Sequence, residues 1–257
     1  MLIRPLCTKM TDYAYLPGDL ETLADLQNYH EWIFDETLPF LGTCVAEIGA
    51  GLGTITELLV RKHLKGDSRT KLEVFEPAGN LYERLQEKLR SRFPGLIQAG
   101  RLKTTKGSLQ LSPQRFDTIV LINVLEHIQQ DQEFIRVVYR SLVPGGTFIV
   151  FVPALQWLYS AFDKAVGHHR RYEKNRLRWL LQAEGFEVIK AKYMDLGGVL
   201  PWYMVNVLGK STAINRRLAR MYDRWCVPFT RWVEDQCGAV IGKNILMVGR
   251  KSEGISV

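Results

Sequence analysis

Short apolar runs alternate with helical patterns along most of this chain, and this alternation constrains the fold more than any other feature of the sequence. Short apolar runs bounded by turn residues predict buried strands, whereas apolar residues three and four positions apart predict helices. The predicted strands are TCVAEIG, KLEVFE, a short run near Arg101–Thr105, FDTIVLIN, GTFIVFVP, FEVIKAKYM and NILMVGRK; the predicted helices are TITELLVRKHL, NLYERLQEKLRSRF, DQEFIRVVYRSL and NRLRWLLQAEG. This order predicts an α/β fold with a doubly wound, mostly parallel sheet.

We divide the chain into an N-terminal helical segment (1–40), an α/β core (41–194), a helical insertion (195–243) and a final strand with its tail (244–257). Apolar residues at helical spacing over residues 20–40 predict an amphipathic helix. The tyrosines Tyr13, Tyr15 and Tyr29 are candidates to close over a bound ligand.

The net charge of +7 is unevenly distributed. Residues 155–224 contain 13 Lys and Arg against 6 Asp and Glu, so the excess lies in this stretch. Such a stretch is either a solvated face or a surface for phosphate, carboxylate, nucleic acid or an anionic membrane. The four cysteines show no CxxC or metal-ligand spacing, which favours reduced thiols in a cytoplasmic protein. We expect neither a secretory signal nor a membrane span.

The segment VAEIGAGLGT, residues 45–54, lies between the first predicted strand and its helix. Its glycines are Gly49, Gly51 and Gly53. They allow a sharp turn and a close approach of the backbone to a ligand. A dinucleotide fingerprint would require a glycine where Thr54 stands, which disfavours a NAD dehydrogenase. Glu47 lies two residues before the loop, and its carboxylate favours a cationic group over a pyrophosphate.

Two further motifs lie at the ends of later strands. Glu76 ends KLEVFE, where a carboxylate can accept hydrogen bonds from both hydroxyls of a ribose. Gly107-Ser108-Leu109 precedes FDTIVLIN and could hold an adenine edge. Together with the glycine loop and Phe116-Asp117, these motifs resemble the class I S-adenosylmethionine-dependent methyltransferases over roughly residues 40–153 and the closing strands.

This resemblance implies a seven-stranded sheet whose last strand is antiparallel, with S-adenosylmethionine as cofactor and S-adenosylhomocysteine as product. The residues that it assigns to the cofactor are Glu47, Gly49, Gly51, Gly53, Glu76, Pro77, Ser108, Leu109 and Asn123. Many members of the family carry an acid where Ser108 stands, and this departure weakens the expected contact with adenine.

Two motifs that contain histidine follow the fourth and fifth strands. They are NVLEHI, residues 123–128, and GHHRRY, residues 167–172. The candidate catalytic residues are Glu126, His127 and His168, and the choice of base among His127, His168 and His169 stays open with His168 preferred. Alternatively, the two motifs are a helix start and a solvated basic turn.

NVLEHI is similar to the E-x-x-E-H run that binds Mg²⁺ in ubiquinone-pathway O-methyltransferases and small-RNA 2′-O-methyltransferases. Asn123 replaces the first acid here. Because Mg²⁺ prefers several hard oxygen ligands, we do not expect a metal.

The string D-x-x-x-G-H-x-R-R-Y, which begins at Asp163, resembles a bacterial subgroup often encoded near cell-surface or natural-product genes. The candidate substrate contacts are Arg170, Arg171, Tyr172 and Trp202. One arginine is expected to face the site and the other to pair with an acid such as Asp163. The aromatic residues around Trp202 either cover an aromatic or prenylated substrate or bury the helices of the insertion.

A neutral histidine, with a pKa of ~6.5, lies ~3.5 units below a phenol of pKa ~10. We therefore expect O-methylation of a phenol, an enol or a carboxylate on a small anionic or aromatic molecule. The subgroup resemblance implies a place in natural-product or cell-envelope metabolism. The alternatives are a metal-assisted RNA or sugar-hydroxyl methyltransferase, and a non-catalytic cofactor-binding or membrane-docking partner. The basic helix INRRLARMYDRW either rests on a membrane or packs on the edge of the sheet. The substrate, the methylated atom and the oligomeric state stay open.

Overall fold

A computed structural model of the protein describes residues 19–109 and 113–253. Tyr13 and Tyr15, two of the predicted closing residues, lie outside these ranges. The strands are β1 (Cys44–Ile48), β2 (Lys71–Glu76), β3 (Leu102–Lys106), β4 (Phe116–Ile122), β5 (Leu142–Pro153), β6 (Phe186–Met194) and β7 (Asn244–Lys251).

The strands form one sheet in the order β3-β2-β1-β4-β5-β7-β6. Strands β1 to β5 are parallel, and β7 pairs antiparallel with both β5 and β6. The predicted seven-stranded, mostly parallel sheet with an antiparallel last strand is therefore confirmed. The carboxyl ends of β1, β2 and β4 meet at one edge, which is where open α/β sheets bind their ligands.

Helices cover both faces of this sheet. They are α1 (Asp19–Ala24), α2 (Gln27–Thr37), α3 (Thr54–Leu58), α4 (Gly79–Arg92), α5 (Pro94–Gln98), α6 (Asp131–Ser141), α7 (Ala161–Ala165), α8 (Lys174–Ala183), α9 (Val199–Trp202), α10 (Arg216–Met221) and α11 (Val227–Cys237). Turns of 3₁₀ or π geometry extend several of them, for example Leu59–Leu64 after α3 and Tyr222–Cys226 between α10 and α11.

The core consists of two apolar clusters, one on each face of the sheet. Ile119 and Leu121 of β4 belong to one cluster and Val120 to the other, because successive side chains of a strand point to opposite faces. Strands that are buried on both faces read as continuous apolar runs, which explains why β4 could be recognised in the sequence.

The N-terminal segment differs from the single helix predicted over residues 20–40. Helix α1 ends at Ala24 and α2 begins at Gln27, because Leu26 has φ −79° and ψ 75°, outside the helical region. Asp25, at this break, binds Arg216 and Arg220 of the insertion at 2.7 and 2.9 Å. The ion pairs at this break thus connect the N-terminal segment to the insertion.

The segment between β6 and β7 contains two helical stretches, residues 196–208 and 216–237. The second packs against α2, where the Asp223 carboxylate accepts hydrogen bonds from the Asn28 and Tyr29 N–H groups at 3.1 and 2.9 Å. In the part of the chain that the structure describes, no helix has both the length and the apolar character needed to cross a bilayer.

Candidate active site

The turn after β1 depends on glycine. Gly49 has φ +73°, and a Cβ there would lie 2.5 Å from the Val124 side chain. Gly53 has φ +75°, and its Cβ would lie 2.6 Å from Leu85. Any larger residue at either position would combine a strained backbone with a clash. The loop therefore turns tightly between β1 and α3 and leaves its backbone open to a ligand.

Glu76, at the end of β2, holds this loop in place. Its carboxylate accepts hydrogen bonds from the N–H groups of Gly51 and Ala78 at 2.7 and 2.8 Å. Burial raises the pKa of this carboxyl, and the two backbone hydrogen bonds oppose that effect. An ionised carboxylate offers about four acceptor sites, so Glu76 retains acceptors for the hydroxyls of a ligand.

Glu47, on β1, is the second acid at this place. It accepts a hydrogen bond from Thr56 Oγ1 at 2.6 Å, and burial raises its pKa to about 7, with a smaller contribution from the charge of Glu76. Neither carboxylate forms a salt bridge with another residue in the described ranges. Two acids without a protein cation favour a ligand that carries positive charge on this side.

A cleft opens at the carboxyl ends of β1, β2 and β4. It is lined by Leu20, Leu23, Ala24, His30, Glu47, Ile48, Gly49, Ala50, Gly51, Leu52, Thr54, Ile55, Glu76, Pro77, Ala78, Leu81, Ile122, Asn123, Val124 and His127. Most predicted cofactor residues therefore surround one space. Gly53, Ser108 and Leu109 are not part of this lining, and residues 110–112, beside the last two, lie outside the described ranges.

Helices α1 and α2 supply lining residues that the sequence analysis did not identify. Leu20 and Leu23 line the cleft from α1, and His30 lines it from α2. The spacing of the two leucines was a visible helical pattern, but nothing in the sequence indicated which surface they would face. Tyr29, which was expected to close over a ligand, points elsewhere, because its hydroxyl donates to Asn244 Oδ1 at 2.7 Å in the protein interior.

The two histidine motifs meet beside the cleft. His127 lines the cleft, and its ring contacts the His168 ring edge to face with centroids 4.6 Å apart. His168 Nδ1 lies 2.8 Å from Asp163 Oδ1, while its Nε2 lies 3.9 Å from Glu126 Oε1. His169 is exposed instead. His168 is thus the inward member of the pair.

Asp163 orients His168. Burial alone would raise the pKa of this carboxyl, but the His168 hydrogen bond and the Arg171 charge lower it below its usual range. An ionised Asp163 accepts the Nδ1–H of His168, which leaves the lone pair of Nε2 available. This arrangement can remove a proton from a nearby hydroxyl.

Glu126 lies behind these rings and is fully buried. Neither of its carboxylate oxygens has a hydrogen-bond partner on another described residue. Burial raises its pKa to about 7, and the neighbouring His168 opposes the rise. Burial, together with the neighbouring His168, lowers the pKa of His127 to about 3, so that ring stays neutral at neutral pH.

Glu126, His127 and His168 can each offer one ligand atom, and these atoms lie within 4.8 Å of one another. One carboxylate and two imidazoles resemble the donor set of a transition metal more than that of Mg²⁺. These three residues are the ones that would hold a metal.

The other residues of GHHRRY fasten the motif to the core. Arg171 is buried, and its Nε donates to Asp163 at 3.0 Å. Tyr172 is 2% exposed, and its hydroxyl donates to Asp131 Oδ2 at 3.0 Å. Arg170 Nη1 lies 2.6 Å from the same Asp131 oxygen. The polar atoms of Arg171 and Tyr172, two of the predicted substrate contacts, thus have buried partners within the protein.

Trp202 packs the insertion against the segment that follows β5. Its indole N–H donates to the Leu158 carbonyl at 3.1 Å, its ring contacts Phe162, and the Arg171 guanidinium lies 4.6 Å from its centroid. These contacts agree with the alternative in which the aromatic residues bury the helices of the insertion.

Replacing Glu126 with glutamine is expected to stabilise the protein at alkaline pH. The carboxyl has a pKa of 4.5 as its ordinary value and of about 7 in the folded protein. Protonation of Glu126 therefore stabilises the folded state fully below pH 4.5, and this stabilisation is lost as the pH rises through 7. Glutamine mimics the protonated form at every pH, so the gain in stability should grow from about pH 5 to about pH 8, by at most about 3 kcal/mol.

Thermal unfolding across this pH range measures the effect. Glu187→Gln, at an exposed position of β6, is the control and should shift the Tm little at any pH. A gain for Glu126→Gln that is the same at both ends of the range would contradict the raised pKa.

Comparison with known proteins supports a positively charged ligand, which the carboxylates of Glu47 and Glu76 favour. Residues 46–148 match the family described as "Methyltransferase domain". The chain is 30% identical over 115 residues to the ubiquinone biosynthesis O-methyltransferase of Pseudomonas putida (strain W619), covering 45% of this chain and 46% of the relative. The match thus spans less than half of that relative.

Solved structures share the fold over most of the chain. A SAM-dependent methyltransferase of Thermotoga maritima, described as a possible histamine N-methyltransferase, has a TM-score of 0.56 at 15% identity, over 90% of this chain and 92% of its own. Phosphoethanolamine N-methyltransferase 2 of Haemonchus contortus, in complex with S-adenosyl-L-methionine, has a TM-score of 0.57 at 14% identity, over 91% of this chain and 57% of its own. Residues 46–148 are therefore similar to a methyltransferase domain, and the chain shares the fold of S-adenosylmethionine-dependent methyltransferases.

Proposed function

We propose that the protein is an S-adenosylmethionine-dependent methyltransferase that methylates an oxygen atom of a small molecule. The observation that carries this proposal is the cleft, in which the glycine loop and Glu76 face Asn123 and His127. The similarity to an O-methyltransferase of ubiquinone biosynthesis supports oxygen as the methylated atom.

The side of the cleft formed by β1 and β2 would hold the cofactor. The loop from Gly49 to Gly53 would hold its methionine part, and Glu76 would bind the ribose hydroxyls. The nearby carboxylates of Glu47 and Glu76 favour the positive charge that the cofactor carries on its sulfonium and ammonium groups. Ser108 and Leu109, which lie outside the cleft lining, would flank the adenine, and Asn123 would face the amino-acid end.

His168 is the proposed base. Methyl transfer from a sulfonium is an in-line displacement, so the protein must align the nucleophile and remove its proton. The His168 side chain is 11% exposed, and its ring packs against that of His127, which lines the cleft. The proton passes from the substrate hydroxyl to Nε2, and the neighbouring carboxylates of Asp163 and Glu126 stabilise the imidazolium that forms.

The acidity of the substrate follows from this base. A neutral imidazole accepts a proton readily from a phenol or an enol, and a carboxylate needs no base, whereas an alkyl hydroxyl would need a metal or another activator. We therefore propose a phenol, an enol or a carboxylate as the acceptor, in natural-product or cell-envelope metabolism. A cytoplasmic location is part of the same proposal.

Calorimetric titration with S-adenosylhomocysteine tests the function, and we expect a dissociation constant in the micromolar range or below. Transfer of a labelled methyl group to a panel of phenols and carboxylic acids then tests the acceptor. Absence of binding at micromolar concentration would contradict the proposal.

The grouping of Glu126, His127 and His168 favours a second candidate, a metal-assisted methyltransferase acting on a sugar hydroxyl or on RNA. EDTA distinguishes the two candidates. We expect methyl transfer to persist in EDTA; loss of transfer, with recovery on addition of a divalent cation, would establish the second candidate.

A further inference from the structure

The helical stretch 216–237 has two contrasting faces. Its inner face is buried and consists of Asp223, Val227, Thr230 and Glu234. Its outer face carries a row of apolar side chains, which we call the aromatic stripe: Leu218, Met221, Trp225, Phe229 and Trp232, exposed by 58%, 52%, 67%, 65% and 61%. Surface helices normally place charged and polar residues on the face away from the core. The stripe therefore indicates a surface that contacts something other than water.

Arginines accompany the stripe. Arg216, Arg217, Arg220 and Arg224 line a surface groove together with Met221 and Trp225. Arg216 and Arg220 share a single carboxylate, that of Asp25. Arg217 and Arg224 form no salt bridge with any residue in the described ranges. The groove thus keeps a positive charge that the described residues do not neutralise.

A second set of exposed apolar side chains lies next to the stripe. Leu196 lines a groove with Trp225, Phe229 and Val233. From Leu196, the chain continues into the helical stretch that carries Leu200, Met204 and Leu208, which are 67%, 54% and 55% exposed and spaced four residues apart. The apolar surface therefore extends beyond a single helix.

We infer that this surface binds an anionic lipid bilayer. The stretch 216–237 lies in the plane of the interface, its aromatic stripe enters the boundary between headgroups and acyl chains, and its arginines meet lipid phosphates. Tryptophan and phenylalanine on an apolar face beside a basic groove are the features of such interfacial helices. Each basic residue near the surface adds attraction to anionic lipid.

The charge distribution favours a bilayer over a second copy of the chain. A two-fold dimer through this face uses the same patch of both copies, so its interface would contain two arginine-rich grooves. Like charges within one interface oppose association. A bilayer instead offers apolar chains to the stripe and negative charge to the arginines.

The location of this surface connects it to the cleft. Helix α1 contacts α10, and its residues Leu20, Leu23 and Ala24 line the cleft while Asp25 binds Arg216 and Arg220. Docking therefore brings the mouth of the cleft near the lipid surface. This step rests on the proposed function and implies an acceptor that partitions into membranes, whereas the docking itself does not depend on methyl transfer.

Flotation of the full-length protein with vesicles tests the inference. We expect binding to phosphatidylcholine vesicles that contain phosphatidylglycerol, weaker binding to phosphatidylcholine alone, and further weakening at high salt. The triple variant Trp225→Ser, Phe229→Ser, Trp232→Ser should lose affinity for anionic vesicles by a factor of about 100 or more. The double variant Arg217→Gln, Arg224→Gln should lose most of the preference for anionic lipid.

Trp179→Ser is the matched control, because Trp179 is 50% exposed on α8 and has an arginine, Arg176, over its ring. It should bind vesicles as the unmodified protein does. Titration with S-adenosylhomocysteine shows separately whether each variant keeps its fold and cleft. Failure to bind anionic vesicles, an equal loss in Trp179→Ser, or a dimer that the triple variant dissociates without any vesicle binding would each overturn the inference.

Discussion

Replacing His168 with alanine is expected to lower kcat by about 10²–10⁴-fold, the usual contribution of a positioned general base. His168 is the histidine whose Nδ1 is held by Asp163, at 2.8 Å, so that its Nε2 can accept a proton. Its neighbour His127 lines the cleft, but burial lowers the pKa of that ring to about 3, which makes it a weak base. Steady-state kinetics with a phenol or enol acceptor, whose proton must be removed, measure the effect.

The affinity for S-adenosylhomocysteine separates this role from a structural one. His168 is not part of the cleft lining among the described residues, so alanine there should leave cofactor affinity nearly unchanged. Exposed His169 supplies the control, and His169→Ala should keep a normal kcat. Added imidazole should restore part of the activity of His168→Ala. A normal kcat in His168→Ala, or a parallel loss of cofactor binding, would contradict its role as base.

Glu76→Ala should weaken the binding of S-adenosylhomocysteine by about 100-fold or more. The proposed contacts are two hydrogen bonds from ribose hydroxyls to a charged carboxylate, each of which contributes about 1.5–3 kcal/mol. The loss also releases the N–H groups of Gly51 and Ala78, which Glu76 now holds at 2.7 and 2.8 Å. Both effects lower the affinity for S-adenosylhomocysteine, because a loosened loop must be reordered on binding.

Calorimetric titration measures this change, and thermal unfolding verifies that the variant is folded. Glu83→Gln, at an exposed position of the adjacent helix α4, controls for the loss of an acid in this region. If Glu76→Ala binds as tightly as the unmodified protein, the ribose does not contact Glu76, and the assignment of the cofactor to this side of the cleft is wrong.

Local pattern was sufficient to predict much of the sheet. The runs KLEVFE, FEVIKAKYM and NILMVGRK coincide with β2, β6 and β7. The glycine loop and Glu76 could be located in the same way, because glycine spacing and strand ends are local features of the sequence. The antiparallel direction of β7 came from the family resemblance, since strand direction leaves no local pattern.

The remaining features depend on contacts between distant residues. The break at Leu26 accompanies ion pairs between Asp25 and two arginines of the insertion, more than 190 positions away. The burial of Arg171 depends on Asp163 and Trp202, and adjacent residues in a sequence do not show which of them faces inward. The sequence predicts Asp163 as a partner for an arginine, but it does not show that the same carboxylate also orients His168.

The position of β7 in the sheet has a consequence for folding during synthesis. Its eight residues fill the gap between β5 and β6, and it is antiparallel to both. Until residue 251 has been synthesised, one edge of β5 and both edges of β6 have unpaired N–H and C=O groups, which are templates for pairing with other chains. The cleft-bearing half of the sheet, β1 to β4, is translated first and can form early. Nascent chains should therefore be most prone to aggregate while the helices of the insertion are being made.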